Sequence, residues 1–111
     1  MINLAINGFG RIGRQVFKVA FENKNIKIVG INDLTDTKTL AHLLKHDTAY
    51  GNYNREVKFD DKNIIVAEKK FPVFAEKDPS VLPWKKLKVD VVLECTGKFR
   101  DRAGVSAHLK A

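Results

Sequence analysis

The chain has 111 residues, 44% of them hydrophobic, which is enough for one core and too few for two domains. Its formal net charge of +7 admits phosphorylated small molecules, nucleic acid or anionic lipid as partners without choosing among them. A single cysteine, Cys95, excludes an internal disulfide, and no Cys/His cluster has zinc-ligand spacing, so a reducing compartment, by default the cytoplasm, is expected.

Residues 2–6 read as a buried strand interrupted by Asn3, with Asn7 after it. No basic region leads into a long apolar run, which argues against a secretory signal or a membrane span. The run Asn7-Gly8-Phe9-Gly10-Arg11-Ile12-Gly13-Arg14 follows, a Gly-x-Gly-x-x-Gly turn between strand and helix. Ile12, Val16 and Ala20 then recur at i, i+4 and i+8 with Phe17 and Phe21 alongside, predicting an amphipathic helix over 11–22 whose apolar stripe lies on a sheet. Asn23-Lys24-Asn25 ends it. Residues 26–31 form a second apolar strand with weak alternation, as expected when both faces are covered, and the crossover rule makes it parallel to the first.

Thr35 or Asp36 caps a second helix that runs to about His46, with Leu40, Leu43 and Leu44 on one face. From 50 to 75 the period changes. Short strands are expected at 57–59, 64–66 and 73–75, with a turn at 60–63, and Pro72 makes the last an edge strand or a late starter. This reads as a small antiparallel insertion. Asp78-Pro79 and Leu82-Pro83-Trp84 punctuate a loop, and 89–94 is the next buried strand, ending at Cys95-Thr96-Gly97. Asp101 would cap a last helix from Arg102 to Ala111. The expected class is α/β: a Rossmann-type parallel sheet, the first half of a doubly wound fold, with strand order 3-2-1-4. It forms one domain over 1–111, and that domain is incomplete because such a sheet continues with another strand.

The glycine turn is a phosphate cradle in this context. Gly8 allows the tight turn, Gly10 lets backbone approach a pyrophosphate, and Gly13 lets helix pack on strand. The first-turn N–H groups and the helix dipole would face the anion. Asp33 lies twenty residues past Gly13 at the end of the second strand, where a carboxylate accepts from ribose hydroxyls. A 2′-phosphate there would meet its charge, so NAD is favoured over NADP unless Arg11 or Lys77 compensates. Thr96 and Gly97 would border the same ligand across the switch point. Each feature also has a plainer reading: a bare strand-to-helix turn, a carboxylate capping a loop, an ordinary strand end.

Other clusters carry less. Lys69-Lys70 beside Phe71, and Lys85-Lys86 with Lys88 beside Trp84, could form a stacking surface for single-stranded nucleic acid, though a solvated face is the simpler account. His42 and His46 have i, i+4 spacing with Asp47 adjacent, but no third metal ligand presents itself. His108 has no nucleophile near it in sequence, and Cys95 at a strand end is expected to be packed and inert.

Residues 6–14, Ile-Asn-Asp at 31–33 and Leu-Leu-Lys-His-Asp-Thr-Ala-Tyr-Gly at 43–51 together resemble glyceraldehyde-3-phosphate dehydrogenase. So do Lys77-Asp78-Pro79, Leu82-Pro83-Trp84 and Glu94-Cys95-Thr96-Gly97, and the match is collinear along the chain. The resemblance implies that the backbone at Arg11 and Ile12 receives the pyrophosphate, that Asp33 holds the adenosine ribose, and that Thr96 and Gly97 approach the cofactor from the neighbouring strand. Lys77 stands where the family usually has Arg near the adenine, which keeps the charge and loses the planar stacking group. Erythrose-4-phosphate dehydrogenase is similar but tends to carry Glu in place of Asp33. The resemblance further implies homotetramers and the oxidative phosphorylation of glyceraldehyde 3-phosphate by a cysteine in a Ser-Cys-Thr-Thr-Asn motif, absent from these residues. The chain alone is thus expected to bind NAD without catalysis. The alternative is a stand-alone dinucleotide- or RNA-binding module without chemistry.

Overall fold

The computed structural model describes residues 2–46, 55–78 and 81–95. Eight elements occur in it: β1 (Ile2–Asn7), α1 (Arg11–Phe21), β2 (Ile26–Asn32), α2 (Thr37–Lys45), β3 (Val57–Phe59), β4 (Asn63–Val66), β5 (Lys69–Phe74) and β6 (Val91–Glu94). The sheet order is β3-β4-β5-β2-β1-β6. Its centre, β5-β2-β1-β6, is parallel throughout and has the expected 3-2-1-4 order, while β3 and β4 add an antiparallel edge. This is a Rossmann-type sheet. The expected helix from Arg102, with its cap Asp101, and Asp47, Thr96, Gly97 and His108 lie outside the described residues.

The pairing of β1 with β2 explains the weak alternation of the second strand. Leu4 pairs with Ile28 and Ala5 with Gly30, so Val29 is an extra residue in β2, a bulge that shifts the face of everything after it. Ile28 and Ile31 consequently both join Leu4 and Ile6 in the larger core cluster, which also holds Phe17 and Ala20 of α1 and Leu40 and Leu44 of α2. Gly30 falls on the opposite face. There Ala5, Leu82 and Trp84 form a second cluster with Phe74, Leu87, Val89 and Val92 packed against it. A methyl on Gly30 would stand 3.1 Å from the Trp84 ring, so the indole packs directly on backbone.

Burial corrects several expectations. The stripe of α1 that faces the sheet is Gly13, Phe17 and Ala20, whereas Ile12 is 66% exposed. On α2, Leu40, Ala41 and Leu44 are buried and Leu43 lies at the exposed rim. Phe71 and Trp84, at 6% and 2% exposure, are core residues, so neither offers a ring for stacking a nucleobase. The neighbouring Lys69, Lys70, Lys85, Lys86 and Lys88 are exposed, as a solvated face would be.

Strand ends also shift for physical reasons. β5 begins at Lys69, because Ala67 (φ 49°) and Glu68 (φ 71°) make a two-residue hairpin turn from β4. Pro72 is neither at an edge nor at the start: β5 pairs antiparallel with β4 up to Pro72 and parallel with β2 from Val73. The Val73 N–H donates to Lys62 on the β4 side, so by alternation the N–H that proline lacks would have faced β2, where pairing has not yet begun. β6 starts at Val91, two residues later than expected, because Asp90 takes over the ladder. Its carboxylate accepts from Asn3 N–H, and its own N–H donates to Asn3 O.

Asp36, the N-cap of α2, accepts from Thr39 N–H at 2.7 Å, and this bond holds its carboxyl below the usual aspartate range. A carboxylate with a depressed folded-state value contributes stability above the unfolded value, about 3.9, and loses it as pH falls through the folded value. Asp36→Ala is therefore expected to lower the thermal midpoint at pH 7, by an amount that shrinks as the pH drops below about 4. Melting curves of both proteins across that range check it.

Candidate functional site

The carboxyl ends of β6, β1 and β2 meet at the turn between β1 and α1. Gly8 turns the chain there with φ 97°, a conformation that penalises a Cβ, and its N–H donates to Asn32 O. Gly13 is fixed by contact. A methyl at that position would lie 2.1 Å from Gly8 O and 3.1 Å from Gly8 C, both backbone atoms that cannot step aside. Gly10 differs from both, since a methyl there would meet no atom of the described residues within 4 Å. It stands at the N-cap of α1 and is open among those residues.

That N-terminus lacks the usual satisfaction of its donors. Among the described residues no side chain caps it, and its first turn contains no acidic residue. The Gly10 carbonyl already takes the first helical bond, from Arg14 N–H at 2.9 Å. The N–H groups of Arg11, Ile12 and Gly13 precede any intrahelical partner and lie at the positive end of the dipole, so the arrangement favours an anion. Arg11 and Ile12 are both exposed at this mouth.

Asp33 stands beside the same turn. Its Oδ2 accepts from Phe9 N–H at 2.7 Å and its Oδ1 from Thr35 N–H at 2.9 Å. Each oxygen keeps further acceptor capacity for a hydroxyl donor. Lys77 is exposed, three residues past the end of β5 and next to Glu76, whose backbone is tied to the end of β2. The structure thus brings Gly8, Gly10, Arg11, Ile12, Gly13 and Asp33 together, with Lys77 on the segment beyond.

A row of side chains that motif and periodicity do not reveal runs beneath the turn. Asn32, Asn7 and Glu94 are in register across β2, β1 and β6. Asn7 is 1% exposed and Asn32 4%. Asn32 Nδ2 donates to Asn7 Oδ1 at 2.8 Å, and Asn7 Nδ2 donates to Glu94 Oε2 at 2.7 Å. The one sequence signal is Ile-Asn repeated at two strand ends, where asparagine is an unexpected choice for buried sheet.

Cys95 is half-buried against the core, and burial, assisted by the Glu94 charge, pushes its thiol up, which keeps it protonated at neutral pH. The exposed His42 and His46 rings lie 4.8 Å apart at the C-terminal end of α2, and among the described residues no three His, Cys, Asp or Glu side chains cluster as a metal would require.

Residues 2–102 match the family model for the glyceraldehyde 3-phosphate dehydrogenase NAD binding domain. The chain belongs to that family. It is 54% identical to the glyceraldehyde-3-phosphate dehydrogenase of Thermotoga maritima over all of its own length and 34% of that relative. It is also 54% identical to the Borreliella burgdorferi protein of that name and 51% identical to the Mycoplasma pneumoniae one, covering 97% and 99% of this chain and 33% of each relative. The chain therefore spans about a third of the length of these curated relatives. Its cofactor is NAD, as the family model describes. The glycine geometry fits the phosphates of such a dinucleotide: two glycines are required by backbone and the third leaves the approach open. No described helix is long and apolar enough to cross a membrane.

Gly13→Ala tests the cradle. Alanine improves intrinsic helix propensity by about 1 kcal/mol. The clash with Gly8 O outweighs that gain, because overpacking against atoms that cannot move costs about 1–3 kcal/mol or more. A lower midpoint in chemical denaturation is expected; a midpoint at or above the parent's would show that the turn yields.

Proposed function

We propose that these residues are the NAD-binding portion of a phosphorylating glyceraldehyde-3-phosphate dehydrogenase, an enzyme that oxidises glyceraldehyde 3-phosphate to 1,3-bisphosphoglycerate. The observation that carries the reading is the uncapped, acid-free N-terminus of α1, opened by Gly10 and flanked by the Asp33 carboxylate. Backbone N–H groups at Arg11 and Ile12 receive the pyrophosphate, and Gly8 and Gly13 hold the turn that aims them. Asp33 accepts from the adenosine ribose and disfavours a 2′-phosphate. Lys77 supplies a cation toward the adenine end, and Thr96 and Gly97, which follow β6 in sequence, border the cofactor.

NAD, when bound, supplies the hydride acceptor for the aldehyde. The residues of this chain bind and orient it. The Ser-Cys-Thr-Thr-Asn motif of the family is not among them, and Cys95, protonated and packed, is no substitute for its thiolate. These 111 residues alone therefore bind cofactor without turning over substrate. In this reading they form an incomplete domain of a cytoplasmic protein that assembles as a homotetramer. Burial of Phe71 and Trp84 disfavours the alternative of an RNA-binding module.

Calorimetric titration with NAD tests the assignment. Saturable binding is expected, and Asp33→Ala is expected to weaken it by about 1–3 kcal/mol through lost charge-assisted hydrogen bonds to the ribose. An unchanged affinity in a folded Asp33→Ala protein would remove Asp33 from the site. No binding by the parent would overturn the cofactor role of these residues on their own.

A further inference from the structure

The row formed by Asn32, Asn7 and Glu94 has a fixed direction. At one end, Glu76 N–H donates to Asn32 Oδ1 at 2.9 Å, and Asn32 Nδ2 donates back to Glu76 O at 2.9 Å. The side-chain amide of Asn32 thereby pairs with a backbone peptide as a neighbouring strand would, and this pairing decides which way the amide faces. Only Nδ2 is then available to Asn7, so Asn7 must present its oxygen to Asn32 and its Nδ2 to Glu94. At that far end an ionised carboxylate can only accept. Both ends demand the same polarity, and the two buried amides between them have no second arrangement of equal energy.

The row also joins separate walls of the proposed cleft. Glu76 precedes Lys77 on the segment after β5; Asn32 precedes Asp33; Asn7 precedes Gly8; and Glu94 lies at the end of β6, two residues before Thr96. Every residue of the row is thus one or two positions from a residue proposed to meet the dinucleotide. We infer that Asn32, Asn7 and Glu94 are positioning residues for the cofactor, a polarised hydrogen-bond row that sets the spacing between the glycine turn, Asp33, the Lys77 segment and the end of β6. This inference rests on the proposed NAD site and adds to it residues that do not themselves touch the ligand.

Reversing the polarity tests it. Asn7→Asp replaces the donor that faces Glu94 with an acceptor and sets two carboxylates against each other. Adding Glu94→Gln restores alternation by reflection: one oxygen of the carboxylate introduced on β1 accepts from Asn32, and the other accepts from the amide introduced on β6. NAD affinity is measured by calorimetry at a temperature where the melting curve shows each protein folded. Asn7→Asp is expected to weaken NAD binding about tenfold or more, and the double variant to recover most of that loss. A row that merely supports the fold would shift the melting temperature and leave the dissociation constant alone, so unchanged affinity in folded Asn7→Asp overturns the inference. So does a double variant that binds no better than the single. If Asn7→Asp does not fold, Glu94→Ala carries the test, since it removes the acceptor at the half-buried end. Its NAD affinity is expected to fall at least about threefold, and an unchanged value overturns the inference. Failure of the parent to bind NAD is a separate result that sinks the proposed site itself.

Discussion

The contact between Gly13 and the Gly8 carbonyl is the constraint on which the rest depends. Helix and turn approach so closely that a methyl group at residue 13 would overlap the carbonyl oxygen, at 2.1 Å. This contact seats the first turn of α1 directly over the end of β1, and from that position the Phe9 N–H reaches the Asp33 carboxylate at the end of β2. It also has a cost. A serine or aspartate at the N-cap would contribute about a few tenths of a kcal/mol more than glycine, and Gly10 forgoes it with no other described side chain taking the place. The first-turn donors are left without a partner among the described residues. The stability given up at the turn is offset behind it, where Phe9, Phe17 and Phe71 meet edge to face with ring centroids 5.7 and 5.0 Å apart.

The two faces of the sheet are covered by unlike material, and one residue allocates them. Without the extra residue at Val29, Ile28 and Ile31 would point to opposite faces, and α1 would lose one of them from its core. The bulge gives both to the helical face and leaves Gly30 to the other. On that second face no described helix packs; residues 81–89 cross it as a chain of turns, anchored by Leu82 and Trp84. The Trp84 indole comes this close to the sheet because the strand beneath lacks a side chain at Gly30. A glycine that weakens a strand in isolation here makes room for the largest apolar residue of the chain.

Periodicity reveals the elements whose causes are local. α1 ends within a residue of its expected bound, and Asp36 caps α2 as its position beside a run of helix formers implies. What escapes is set by partners distant in sequence. Counting i, i+4, i+8 from Ile12 finds Ala20 but puts the first two positions of the stripe one residue off, because the glycine that touches the sheet has no hydrophobicity to count. The start of β5 is hidden because Lys69 and Lys70 look like loop, and because Ala67-Glu68 forms a hairpin turn without the Gly or Asn that usually announces one. Asn7 bonds a residue 87 positions away, and no local window can distinguish that asparagine from a strand breaker. The site is legible where a backbone requirement writes itself as glycine, and hidden where the requirement is a partner across the sheet.

The lower sheet and its carboxyl end are held by different kinds of force. Leu4, Ile6, Ile28 and Ile31 are held by apolar burial, which has no direction and tolerates small rotations of one strand against the next. The amides of Asn7 and Asn32, buried but fully directional, fall out of partnership if neighbouring strands shift by about an ångström. Replacing the row with leucines would bury more apolar area and remove the desolvation cost of two amides and part of a carboxylate. It would also leave the three strand ends free to settle at whatever spacing packing preferred. A cleft that presents a turn, a carboxylate and a cation to one ligand, as proposed for this chain, needs that spacing fixed before the ligand arrives, because order imposed on binding is subtracted from affinity. Directional bonds are therefore concentrated in the last residues of β1, β2 and β6, where the sheet stops being core and the proposed binding surface begins.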